Sequence, residues 1–191
     1  MRLLGRGLVP QDFYFVVRNV YRNGSCKPLF AMNVKDLIHA LAALAFSIVV
    51  GGAVYEHAAV IPRWSAGPPA SLAMYQGPYG LNPSAFWEMI HPITLVLILI
   101  TLGLSWKGPR RRYVLTNLIG YVVVMVATFT YFVPELMAIT GTPYADTIDP
   151  DLQARSATWE FLSLVRLVVI MALAVALMLG LTKPLRSGSV N

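Results

Sequence analysis

Arg166 is the residue whose position first calls for a chemical explanation. It lies in the apolar segment TWEFLSLVRLVV, inside the helix that this segment predicts. A guanidinium at such depth is costly in hydrocarbon and should face the protein interior with a carboxylate partner. Glu56 and Glu135, at the ends of two other apolar segments, are the predicted partners. Such a pair either locks two helices together, or holds an anionic or enolic substrate oxygen while the Glu accepts a proton.

The segment Glu88-Met-Ile-His91 is a second candidate, because a Glu-x-x-His pair shares one helix face in dimetal carboxylate bundles. Those sites use two such motifs, and this chain has one, so a standard di-iron centre is not indicated. A single metal ion bound by Glu88, His91 and His57 is one interpretation, with further ligands from Glu56, Glu135 or Glu160. The favoured alternative is a hydrogen-bond network at a helix end, beside a bend at Pro92.

The composition places these residues in a membrane protein. The chain is 57% hydrophobic and 13% charged, whereas soluble domains are about 25% charged. A membrane-spanning helix needs roughly 20 apolar residues, and four segments qualify, at about 36–57, 84–106, 113–134 and 157–182. The sequence therefore predicts an all-α integral membrane protein, a four-helix transmembrane bundle within residues 32–186, followed by a short tail at 187–191.

The charges between the apolar segments are sorted by sign. Most of the 15 Lys and Arg residues lie before the first helix, between the second and third, or after the fourth, while the 135–156 connection is largely acidic. The positive-inside rule then predicts that both termini are cytoplasmic, in a bacterial inner membrane. The net charge of +6 lies in loops and tails and does not indicate nucleic-acid binding. The single Cys26 excludes an internal disulfide.

Two segments lie outside the predicted helices. Residues 1–31 are basic and aromatic, which is typical of an interfacial helix on an anionic leaflet. The favoured alternative is an extension with little structure that precedes Met32. The loop at 58–83 is rich in Pro and aromatic residues. It predicts either a lid over the mouth of the bundle or an aromatic belt at the membrane surface.

Polar and small side chains mark the inner helix faces. On a 3.6-residue wheel, one face of the third helix carries Asn117, Tyr121, Thr128, Tyr131 and Glu135, and one face of the fourth carries Trp159 and Arg166. Ala42, Ala45 and Gly52 place the Glu56 face of the first helix inside the bundle. The predicted catalytic residues are Glu56, His57, His91, Glu135 and Arg166, and the predicted cofactor-binding residues are Asn117, Tyr131 and Trp159.

Three segments together resemble the DUF1772 group, the anthrone-oxygenase-like membrane proteins. They are GGAVYEHAAVIPRW with Glu56, the polar segment from Asn117 to Glu135, and TWEFLSLVRLVV with Trp159 and Arg166. The resemblance covers about residues 36–182 and departs at FWEMIHP and at the long Pro-rich loop. It implies a four-helix membrane protein, and some relatives are thought to oxidise anthrones to quinones with molecular oxygen.

The leading functional hypothesis is a small membrane oxidoreductase or oxygenase that acts on a lipophilic aromatic or quinone-like substrate at the outer end of the bundle. The alternative is a non-enzymatic accessory or assembly subunit of a membrane complex, in which the polar cluster is structural. The sequence leaves the cofactor open, as none or a single transition-metal ion. It also leaves open the substrate and the oligomeric state, a homo-oligomer included.

Overall fold

A computed structural model describes residues 33–184 of the chain. Within that range it shows four long helices: α1 (Val34–Trp64), α2 (Ser84–Ser105), α3 (Arg110–Thr140) and α4 (Pro150–Leu181). Each is long and apolar enough to cross a membrane, so the predicted all-α architecture with four candidate spans is confirmed. The predictions for residues 1–31 and 187–191 fall outside the described residues.

The helices pack as a bundle in which each contacts its neighbours in sequence and α1 also contacts α4. The core between them is apolar and contains Phe46, Ile98, Val114, Tyr121 and Leu177. The outer faces are apolar as well, with Val123, Phe129 and Val168 all more than half exposed. A helix that is apolar on all sides suits lipid rather than water, which fits embedding in a bilayer.

Two of the helices contain a π-helical turn. It covers Glu56–Val60 in α1 and Thr128–Phe132 in α3. A proline follows each turn, Pro62 and Pro134, at the start of the next α-helical stretch, where a missing N–H is tolerated. Both helices therefore continue past the ends expected at residues 57 and 134. A π turn holds an extra residue, so it also changes which residues face inward beyond it.

The two ends of the bundle differ. One end carries the connections 65–83 and 141–149, and we call it the loop end. The other, which we call the basic end, carries the short 106–109 connection, and its cations include Lys35, Lys107, Arg110, Arg111, Arg112 and Lys183. There Arg110 pairs with Asp36 at 2.6 Å and donates to the Lys183 carbonyl at 2.6 Å. This contact joins the start of α1 and α3 to the end of α4.

The 65–83 connection packs against the loop end of the bundle. It contains a 3₁₀ helix, Ala70–Tyr75, whose Leu72 is fully buried against Ile61, Trp64 and Trp159. Its backbone is tied to the region before α4, because Asp149 N donates to the Pro68 carbonyl at 3.0 Å. The apolar contact and the hydrogen bond together hold the loop against the loop end of the bundle.

Candidate functional site

A polar cluster lies inside the bundle near the loop end and begins with Glu56, the first residue of the α1 π turn. Glu56 Oε1 accepts a hydrogen bond from Trp87 Nε1 at 2.9 Å. Gly52, one turn earlier, permits this approach. A Cβ at Gly52 would lie 2.7 Å from Phe86 Cε1 and 3.2 Å from Trp87 Cη2. The small residue in α1 is therefore what lets the indole reach the carboxylate.

His91 and Tyr121 form the second part of the cluster. His91 Nδ1 and the Tyr121 hydroxyl are hydrogen-bonded at 2.6 Å. The imidazole also stacks on the Trp87 ring, with centroids 5.2 Å apart and planes at 20°. Tyr121 is buried and packs edge-on against Phe46 of α1 at 5.0 Å. Side chains from three helices thus fix the imidazole beside the Trp87–Glu56 bond.

Arg166 of α4 is the third part of the cluster, and its hydrogen-bond partners are uncharged hydroxyl groups. Its guanidinium donates to Thr128 Oγ1 at 3.2 Å and to Ser163 Oγ at 3.0 Å, and it lies 4.2 Å above the Phe132 ring. Among the described residues no carboxylate pairs with it within 4 Å. Glu56 is its carboxylate neighbour and acts on it through space. The predicted partnership with Glu56 is therefore electrostatic rather than a direct ion pair.

Glu135, the other predicted partner, does not join the cluster, and the prediction that it pairs with Arg166 is wrong. It forms a two-point ion pair with Arg155, at 2.8 Å and 3.0 Å, near the surface. The cause is the π turn at Thr128–Phe132, because a 3.6-residue wheel no longer applies beyond it. Past Thr128 the inward positions are Phe132 and Ile139.

The three predicted cofactor-binding residues have different positions. Tyr131 is 37% exposed and lies outside the cluster, for the same reason as Glu135. Trp159 is buried and donates from Nε1 to the Phe132 carbonyl at 2.9 Å, so it supports the π turn below Arg166. Asn117 is buried one turn from Tyr121 and donates to the Leu173 carbonyl at 2.9 Å. It faces the core, as the polar stripe predicted.

The proposed metal ligands do not form a common donor set. Glu88 is exposed on α2, whereas His91 is half-buried and bonded to Tyr121. His57 Nδ1 lies 2.8 Å from the carbonyl of Ala53 in its own helix, and Glu160 accepts from Ser65 at 2.9 Å. Within residues 33–184 no group of three His, Cys, Asp or Glu side chains could hold a metal ion. The hydrogen-bond network is the interpretation that the His91 contacts favour.

Several site residues were missed by sequence reasoning, and local spacing could have found some of them. Trp87 is four residues before His91 and Ser163 is three before Arg166, so each shares a helix face with its partner. Tyr75 in the loop carried no such signal. Its burial, and then the nearby negative charge of Glu56, raises the pKa of Tyr75 to about 12. Tyr75 therefore lies within electrostatic range of Glu56.

The fold and the cluster together define a class: a small four-helix protein with candidate membrane spans and a polar site inside its loop end. Comparisons of the chain with protein-family models, with curated proteins and with solved structures found no match. The resemblance to the DUF1772 group therefore remains a hypothesis that rests on its short motifs.

Proposed function

We propose that this protein is a membrane oxidoreductase or oxygenase whose cluster binds a lipophilic aromatic molecule with an enolic, phenolic or quinone oxygen. The observation that carries the proposal is the position of Arg166 in the bundle interior, where its hydrogen-bond partners among the described residues are neutral. A buried charge without a paired counter-ion is costly. A substrate oxygen that gains negative charge would supply that counter-charge as the reaction proceeds.

Glu56 is the proton acceptor in this proposal, since Trp87 fixes its carboxylate and Arg166 acts on it through space. For an enolisable substrate, a C–H bond breaks, its proton goes to Glu56, and the electron pair becomes an enolate whose oxygen faces Arg166. Molecular oxygen is the oxidant and co-substrate. One of its atoms becomes the new carbonyl oxygen, and the other leaves as water with the two hydrogens removed from the substrate carbon.

Two histidines, His91 and His57, also take part in the proposed reaction. In this proposal His91, hydrogen-bonded to Tyr121, passes the proton onward from the site. His57 follows Glu56 in the chain and interacts with it electrostatically. Its Nε2 is buried and has no hydrogen-bond partner in the part of the chain that the structure describes. Glu56, His57, His91 and Arg166 are therefore the residues to which we assign the reaction.

The orientation of the protein follows from its charges. We place the basic end in the cytoplasm and the loop end outside, in a bacterial inner membrane, because positive charge collects on the cytoplasmic side. The cluster then lies on the outer side of the bundle, near the 65–83 loop. A lipophilic substrate can reach that depth from the bilayer.

The proposal is tested with the purified protein in lipid nanodiscs, using an oxygen electrode and a panel of anthrones and quinols. Oxygen uptake is expected with at least one compound, and Arg166→Leu and Glu56→Gln should abolish it. Arg155→Leu and Glu135→Gln are matched controls, since that pair lies outside the cluster. A folded wild-type protein that neither binds nor oxidises any member of the panel would contradict the proposal.

One observation favours the alternative, an accessory subunit without enzyme activity. Arg166 donates a hydrogen bond from α4 to Thr128 of α3, so it also has a structural role. The double variant Arg166→Leu with Glu56→Leu separates the two roles. Buried charges with a purely structural role can often be replaced by apolar residues without loss of stability. A stable double variant that still associates with the same complex in the membrane favours the accessory role. A stable variant that has lost substrate binding favours the enzyme.

A further inference from the structure

A second polar feature lies in the apolar core, between the cluster and the basic end. Three side chains there, His39, Thr94 and Asn117, are each 0% exposed. Each has one buried polar atom without a hydrogen-bond partner among residues 33–184: His39 Nδ1, Thr94 Oγ1 and Asn117 Oδ1. Buried polar atoms are nearly always hydrogen-bonded to protein or to ordered water. Three unsatisfied atoms in one core therefore need a common explanation.

Contacts with α4 place two of these side chains along the bundle axis. His39 Nε2 lies 3.0 Å from the Leu177 carbonyl, and Asn117 Nδ2 donates to the Leu173 carbonyl at 2.9 Å. The two carbonyls belong to successive turns of one helix, which rises about 1.5 Å per residue. His39 and Asn117 are therefore separated by one helical turn along the axis, with His39 nearer the basic end.

Thr94 lies at the level of Asn117. It follows His91 by three residues on α2, which runs toward the basic end, while Asn117 precedes Tyr121 by four residues on α3, which runs away from it. His91 and Tyr121 are hydrogen-bonded, and α2 packs against α3. Thr94 and Asn117 therefore lie one helical turn nearer the basic end than the His91–Tyr121 hydrogen bond. From the basic end the order is His39, then Thr94 with Asn117, then His91 with Tyr121.

The helix opposite contributes small residues at this level. Phe46 of α1 packs against Tyr121, and Ala42 and Ala43, one turn nearer the basic end, are both buried. A buried water molecule needs two to four polar partners and little more space than its own volume. The donors and acceptors of Thr94, Asn117 and His39 supply the partners.

We propose that ordered water is bound in the core between His39 and the Thr94–Asn117 level, one helical turn from the His91–Tyr121 pair. Asp36 and Arg110 are the charged groups that act on His39 at the basic end. Chains of polar groups and water through an apolar core are routes for protons in membrane proteins. This water site is independent of the proposed oxidation, since it requires no substrate.

The experiment is water-edited solid-state NMR of the full chain in lipid bilayers, without substrate. Fast magnetisation transfer is expected from water to the Asn117 side-chain amide, whose signal is assigned by its loss in Asn117→Leu. Thr94→Val should greatly slow this transfer. Thr101→Val is the matched control, because Thr101 is also buried on α2 but donates to the Leu97 carbonyl of its own helix at 2.7 Å.

Thermal unfolding of the two valine variants gives an independent outcome. Loss of a water-bonded hydroxyl should lower the melting temperature of Thr94→Val below that of Thr101→Val. An unsatisfied hydroxyl in a dry core would give the opposite order, since its removal is stabilising. Slow transfer at Asn117 in the wild type, or a higher melting temperature for Thr94→Val, overturns the proposal. Neither result depends on oxygen uptake, so failure here is distinct from failure of the proposed enzyme activity.

Discussion

Trp87 and Glu56 are joined by a 2.9 Å hydrogen bond from the indole Nε1 to the carboxylate Oε1, and this bond connects α2 to the π turn of α1. The contact depends on Gly52, because the rings of Phe86 and Trp87 occupy the space that a side chain at that position would need. A Cβ at the neighbouring Gly51 would meet no atom of another described element within 4 Å. The two glycines therefore form a natural pair for testing the site.

Gly52→Ala should displace Phe86 and Trp87 and break the Trp87–Glu56 hydrogen bond. We expect a loss of stability on the order of 1–3 kcal/mol, as for other overpacked positions, and a shift in Trp fluorescence because the surroundings of the indole change. Gly51→Ala should be neutral or slightly stabilising, since Ala is favoured over Gly in helices. Equal melting temperatures for the two variants in detergent would contradict the close packing at Gly52.

Trp159→Phe should leave the Phe132 carbonyl without its hydrogen bond at the end of the α3 π turn. A typical buried hydrogen bond contributes about 0.5–1.5 kcal/mol, and the variant should unfold at a lower temperature. Trp106→Phe is the control, because Trp106 is half exposed at the basic end. If both variants melt like the wild type, Trp159 does not support the π turn.

The Glu135–Arg155 ion pair should contribute little to stability despite its two-point geometry. Both side chains are partly exposed, and exposed pairs are worth roughly 0–1 kcal/mol. Glu135→Gln and Arg155→Leu should therefore each lower the melting temperature only slightly in low-salt detergent, and less still in high salt. A large fall in melting temperature would contradict this and would show that the pair is a main structural link between α3 and α4.

Leu72→Ala should loosen the 65–83 loop from the loop end. Leu72 is fully buried against Trp64 and Trp159, and truncation of a buried Leu costs about 2–5 kcal/mol. Limited proteolysis should cleave the loop faster in this variant than in Leu81→Ala, because Leu81 is 41% exposed. Unchanged cleavage would show that the loop is held by its backbone hydrogen bonds alone.

The proposed orientation is tested by cysteine labelling in a Cys26→Ser background. Lys107→Cys at the basic end should react with a membrane-impermeant maleimide only after the cells are permeabilised. Tyr79→Cys in the loop, at a position that is 98% exposed, should react in intact cells. The reverse pattern would invert the topology and place the site on the cytoplasmic side.

The amino-acid sequence by itself determined the four spans and much of their inner faces. Apolar segments of sufficient length predict spanning helices, and the cost of polar groups in lipid places Asn117, Tyr121 and Arg166 inside. The structure agrees for all three: Asn117 and Tyr121 are buried, and Arg166 is half-buried toward α3. These inferences need only the chain's own periodicity and the properties of the bilayer.

Only the tertiary structure decided which polar residues meet. The wheel that placed Glu135 beside Arg166 assumes an unbroken α-helix, and the π turn at Thr128–Phe132 breaks that assumption. The bond between Trp87 and Glu56 depends on the relative height and rotation of two helices, and on the space that Gly52 leaves between them. Such contacts join residues far apart in the chain, and no spacing within one helix encodes how a second helix is set against it.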